Sequence, residues 1–132
     1  MKIGRGVIEQ IVAHVRLDAP IEACGFLIGT EGRILRHYPV TNAEGRNDHF
    51  TFEPNEQLAA YRTAGQEGLE VMGVYHSHPA TPAAPSTEDI RLARHSTFLH
   101  IIVSRMNGTT TVKGFYIKEG EVEEEPLVVV ED

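Results

Sequence analysis

The segment 71–89, VMGVYHSHPATPAAPSTED, constrains this chain more than any other. Residues 71–75 form a short apolar run that predicts a buried strand leading into His76. In an extended strand, residues two apart share a face, so His76 and His78 project together. Pro79 ends the strand, and Pro82 and Pro85 make the following loop stiff and extended. Ser86 is a suitable N-cap, which predicts a helix from there to about His95 and puts Asp89 at its third helical position. A carboxylate there either reaches back to cap the helix or points out at a metal.

The rest of the chain reads as alternating helices and strands. Val7, Ile8, Ile11, Val12 and Val15 recur at helical spacing, so residues 4–17 form an amphipathic helix, broken by Asp18-Ala19-Pro20. Residues 24–28 and 34–40 read as a hairpin with its turn at 29–32. The polar stretch 41–48 is expected to be an exposed loop and 49–52 a short strand. Pro54 opens a helix over 54–68. Strands are expected at 98–103, 110–117 and 122–130, the first two joined at Asn107-Gly108. With 132 residues and no repeat or linker, this is one domain, 1–132, of mixed α/β class built on a single sheet.

Composition narrows the function classes. The formal charge is −7, with 19 acidic against 12 basic residues, which argues against a nucleic-acid partner. The acidic end, EGEVEEEPLVVVED, reads as a solvated surface strand. One cysteine, Cys24, rules out an internal disulfide and fits a reducing compartment. No signal-peptide pattern opens the chain and no apolar run is long enough to span a bilayer, so the expected location is cytoplasmic, without membrane contact.

Two histidines and one carboxylate make a three-ligand set suited to catalytic zinc, leaving a fourth position for water. A base must then take a proton from that water and pass it to a leaving amine. Glu22 is the candidate, since it follows the helix-breaking Pro20 and immediately precedes the strand at 24–28. Cys24 is read as a small buried strand residue, and Tyr75 as a core residue facing away from His76. His14, His37, His95 and His100 show no ligand spacing. His49 is the histidine placed to line a substrate groove.

His76-x-His78-Pro79, then Ser86-x-x-Asp89, with Glu22 upstream, resembles the full signature of the JAMM (MPN-plus) zinc metallopeptidases. Glu22-Ala23-Cys24-Gly25-Phe26-Leu27-Ile28-Gly29 is similar to the E-x-C-G-x-L-x-G stretch of the small prokaryotic members. Asn42 and the run His49-Phe50-Thr51-Phe52-Glu53-Pro54 resemble that subgroup's loop and helix start, and the likeness runs from about Val7 to Tyr116. The resemblance implies a mixed, curved sheet flanked by helices, layered somewhat like a cytidine deaminase. It implies one zinc per chain on His76, His78 and Asp89, with Glu22 activating the water and Ser86 hydrogen-bonding the water or the developing oxyanion. The substrate implied is a protein with a flexible C-terminal Gly-Gly tail, ubiquitin-like or a sulfur carrier, cut at a peptide or isopeptide bond.

This chain is too short for the large insertions of ubiquitin-cleaving relatives, and His49 stands where many small members carry arginine. Other readings are a non-catalytic MPN scaffold, against which all five signature residues weigh, and a phage or cell-wall peptidase using the same motif. A nucleobase deaminase needs a Pro-Cys-x-x-Cys that one cysteine excludes.

Overall fold

The computed structural model describes residues 1–93 and 97–132. Its centre is β4 (Glu70–His78), a nine-residue strand whose last six residues are all buried. On one side β4 pairs antiparallel with β2 (Cys24–Thr30), and on the other parallel with β5 (Leu99–Ser104). From β2 the sheet continues through β3 (Arg33–Val40), β1 (Lys2–Gly4) and β8 (Val128–Val130). From β5 it continues through β6 (Thr111–Lys118) and β7 (Glu121–Glu125), making eight strands in one sheet.

This is the mixed sheet expected, with two corrections. The single strand expected at 122–130 is two strands, β7 and β8, broken at Pro126-Leu127, and they lie on opposite edges of the sheet. Three Cα–Cα steps of 3.8 Å span about 11 Å at most, whereas seven strand spacings of about 4.8 Å lay flat edges roughly 34 Å apart. The sheet must therefore curl until its edges meet. The strand expected at 49–52 is reduced to one bridge between Asn42 and Phe52. The edge strand β1 carried no signal of its own, since three residues are too few to show a period.

Local chemistry explains the elements on which the site depends. The β2–β3 hairpin turns at Glu31-Gly32, both with positive φ (38° and 78°), the geometry that matches strand twist and that glycine adopts freely. The helix α1 (Arg5–Asp18) buries Val7, Ile11 and Val15 on one stripe against Ile3, Leu27, Ile34, Leu99, Ile101 and Val103. Burying each such side chain contributes roughly 1.5–3 kcal/mol. Its N-cap, Gly4, has no side chain to offer, and the Asp132 carboxylate accepts from Gly6 N–H at 2.8 Å instead. On the other face α2 (Pro54–Gln66) starts with Pro54 at its first turn and a Glu53 carboxylate accepting from Glu56 N–H. Its buried residues, Ala60 and Ala64, are small enough to seat it close to the sheet.

The third helix, α3 (Thr87–Leu92), ends at Ala93, whose backbone is extended. The expected continuation to His95 lies outside the described residues. Among the described residues, no helix is long and apolar enough to cross a membrane.

Candidate active site

Register brings the first three residues together. Cys24 pairs with His76 across the antiparallel ladder, and Ser77 N–H donates to Ala23 O at 3.0 Å. Continuing that register past the start of β2 brings Glu22 beside His78. Side chains directly opposite in such a pair have Cβ atoms about 4.5–5.5 Å apart. Glu22 and His78 share the parity of Cys24 and His76, so all four project from one side of the sheet. The ligating atoms of Glu22, His76 and His78 lie within 4.8 Å of one another, and all three residues are buried. Ser77, on the opposite parity, accepts from Ala23 N–H through Oγ at 2.8 Å, fastening the ends of β2 and β4 together.

Asp89 arrives from α3. Ser86 Oγ accepts from Asp89 N–H at 3.0 Å, and Asp89 Oδ2 accepts from Ser86 N–H at 2.9 Å, a complete capping box. The two alternatives posed by the sequence are therefore both realised, and by the same oxygen. Asp89 Oδ2 also lies 3.2 Å from His76 Nε2 and 3.2 Å from His78 Nε2, and those two nitrogens are 3.2 Å apart.

This equilateral triangle fits one metal ion. Zn–N bonds of about 2.0–2.1 Å in a tetrahedron put neighbouring donor atoms about 3.3 Å apart. His78 Nδ1 is 2.8 Å from Pro82 O, which can only accept, so the proton sits on Nδ1. His78 then offers Nε2 beside Asp89 Oδ2, to a proton in the metal-free chain and to a metal when one is bound. The stiff proline loop, through the Pro82 carbonyl, is what fixes this tautomer. The His76 ring is held by stacking on Phe50, with centroids 4.7 Å apart. Glu22 fits the wider 4.8 Å group but not the 3.2 Å triangle, so Asp89 is the better third ligand.

The two carboxylates of the site sit in opposite electrostatic conditions. Burial pushes Glu22 up to about 8, partly offset by His78. Burial works the same way on Asp89, but hydrogen bonds from His76 and His78, with that from Ser86 N–H, hold it well below the usual carboxylate range. For His78, burial opposes the charged form, and the hydrogen bonds to Asp89 and Pro82 outweigh it, so its pKa is raised. One acid held charged beside one held neutral is a pairing that favours separate roles for them.

A cavity of about 580 Å³ opens beside His76 and Asp89, floored by Phe26, Phe50, Phe52, Val74 and Phe98. His49 lies on its rim, its ring between Glu88 on α3 and Glu44 in the loop. A second cleft, about 640 Å³ between the end of α1 and Pro39–Asn42, contains none of the histidines or carboxylates of this centre. Cys24 is fully buried and its thiol is pushed up to about 12 by burial, so it is the inert strand residue expected. Tyr75 is fully buried on the other side of the sheet, its hydroxyl 2.7 Å from His14 Nδ1. The sequence reading singled out Asn42 only as a point of resemblance, in a loop expected to be exposed, whereas it is buried. It missed Phe50 and the Pro82 carbonyl as supports of the two imidazoles.

Fold and site define a metal-dependent hydrolase. Residues 4–116 match the family described as prokaryotic homologues of the JAB domain. The CysO-cysteine peptidase of Mycobacterium tuberculosis (strain ATCC 25618 / H37Rv) is 39% identical over 128 residues, covering 95% of this chain and 88% of that protein. The desampylase of Pyrococcus furiosus is 35% identical over 122 residues, covering 92% and 85%. A solved structure described as JAMM, a metalloprotease-like zinc site in the proteasome and signalosome, superposes with a TM-score of 0.62 at 28% identity, covering 99% and 98%. The chain belongs to the prokaryotic JAB-domain family.

Proposed function

We propose that this chain is a zinc metallopeptidase that hydrolyses a peptide or isopeptide bond at the C-terminal Gly-Gly tail of a ubiquitin-like or sulfur-carrier protein. The observation that carries the reading is the 3.2 Å triangle of His76 Nε2, His78 Nε2 and Asp89 Oδ2 with the buried Glu22 carboxylate beside it. The peptidase and desampylase named above, similar along nearly the whole chain, support the substrate class.

In this reading His76, His78 and Asp89 hold one zinc ion. When bound, zinc supplies a Lewis acid that polarises the scissile carbonyl and lowers the pKa of water toward about 7. Glu22 accepts one proton of the attacking water and hands it to the leaving nitrogen as the C–N bond breaks, so the amine departs neutral and the new carboxylic acid then loses the second proton to solvent. The Ser86 hydroxyl keeps its own proton to donate, since its oxygen serves as the acceptor for Asp89 N–H. From the helix end it steadies the water or the developing oxyanion.

The flexible tail of a protein partner, rather than a nucleic acid or a membrane, fits an acidic chain with a cleft beside the metal centre. The single unpaired Cys24 fits a cytoplasmic setting, and residues 1–132 act as a single domain.

The test is zinc per chain by elemental analysis, after supplying zinc and removing the excess, with turnover of Gly-Gly-tailed carrier conjugates measured beside it. Wild type should hold about one zinc and cleave, whereas His78→Ala should hold none. A folded wild type without zinc overturns the catalytic reading and leaves the scaffold reading.

A further inference from the structure

Glu22 belongs to no strand, and among the described residues no hydrogen bond holds its carboxylate, so the position of its backbone sets where the side chain starts. That backbone is held on both sides by the loop 41–48. Glu22 N–H donates to Arg46 O at 2.8 Å, and Glu22 O accepts from Asn42 Nδ2 at 3.0 Å. Asn42 is only 7% exposed, in a polar stretch whose neighbours are solvated.

The Asn42 amide is fully engaged. Its Nδ2 also donates to His49 O at 2.9 Å and lies 3.4 Å from Arg46 O. Its Oδ1 accepts from Glu44 N–H at 3.1 Å and from Thr51 N–H at 3.2 Å. One side chain thus ties both ends of the loop to each other and to the carbonyl of Glu22. The task needs two donors and one acceptor at a short reach. Aspartate has no donor, serine has one arm, and glutamine is a methylene longer.

We infer that Asn42 is the positioning residue for Glu22, fixing the backbone from which that carboxylate reaches the His76–His78 pair. The inference rests on the reading of Glu22 as the general base. Misplacement of a reacting group by about 1 Å costs on the order of 10²-fold in rate, so Asn42 acts on turnover while the metal ligands, on other elements, keep their geometry.

The experiment compares wild type, Asn42→Asp, Asn42→Ser, Glu22→Gln and Asn42→Ser/Glu22→Gln, all zinc-loaded. The probe is a peptide ending in Gly-Gly, joined by an amide to a coumarin reporter. Asn42→Asp should lose about 100-fold in kcat, with KM and zinc per chain unchanged, and Asn42→Ser somewhat less. In the metal-free protein, amide exchange at Glu22 should accelerate in both variants while that at Phe26 and Ile102 stays slow. Adding Asn42→Ser to Glu22→Gln should lower the residual rate no further, because a residue acting through Glu22 has nothing left to position.

Full kcat in folded Asn42→Asp and Asn42→Ser overturns the proposal. So does an equal loss in the Glu22→Gln background, a loss that tracks zinc, or unfolding of Asn42→Ser, which would make the residue structural only. Wild-type turnover by Glu22→Gln, or none by wild type, overturns the peptidase assignment first and this inference with it.

Discussion

The two sides of the sheet use alternate residues of the same strands for opposite purposes. On the α1 side, Ile3, Ile11, Leu27, Ile34, Leu99 and Ile101 form a sealed aliphatic core, each fully buried. On the other side the core is smaller and aromatic, with Phe26 stacked on Phe52 and Phe50 on His76, and it opens into the cavity beside the histidines. Along β4 the switch takes one residue, Tyr75 facing the aliphatic side and His76 the aromatic one. Stability is concentrated on one side and chemistry on the other, so substitutions on the two sides should fail differently.

The largest contrast is expected at Glu22. Glu22→Gln should lower kcat about 10²–10⁴-fold with zinc retained, measured by steady-state turnover and elemental analysis. Next, Leu27→Ala should cost roughly 2–5 kcal/mol of stability by denaturant unfolding, while the folded fraction keeps about one zinc per chain. Equal loss of zinc and stability in that variant would show that the two sides are not separable.

A third effect concerns pH in the metal-free chain. Folding raises Glu22 from 4.5 to about 8, so between those values the folded state keeps a proton that the unfolded state has lost. Stability therefore falls as pH rises through that window, by about 5 kcal/mol at most, and Glu22→Gln should abolish this slope. Asp89 works the other way, its contribution present above the ordinary carboxylate pKa of 3.8 and lost as pH falls below it. Chemical denaturation between pH 5 and 9 separates the two, and an identical slope in Glu22→Gln would assign it elsewhere. The smallest effect is expected at Tyr75→Phe, which removes the hydroxyl paired with His14 and should cost about 1 kcal/mol with kcat unchanged.

The difference between the two sides also explains what the sequence could disclose. His76 and His78 announce a shared face because strand parity is local, and Ser86 with Asp89 announces a helix start because capping is local. The convergence of Glu22 on His78 depends on the β2–β4 register, a pairing between segments more than fifty residues apart that no local period encodes. Asn42 was hidden for the same reason: its composition reads as loop, and only the tertiary partners Glu22 and Thr51 make it buried. The run VEEEPLVVV at 122–130 looked like one strand because valines stand at both its ends, although Pro126 marks a break.

That break has mechanical meaning. Pro126 and Leu127 join β7 on one edge to β8 on the other, so the two outermost ladders share a single tether. A strand that slips by one residue turns every side chain over, and here slippage at either edge drags the other edge with it. The rolled sheet behaves like a belt drawn through its own buckle, where neither end can creep while the other holds. Closing the buckle requires β8 to find β1 across almost the whole chain, a contact of high closure entropy. The β1–β8 ladder should therefore form last in folding, around a centre in which β2, β4 and β5 have already brought the histidines into line.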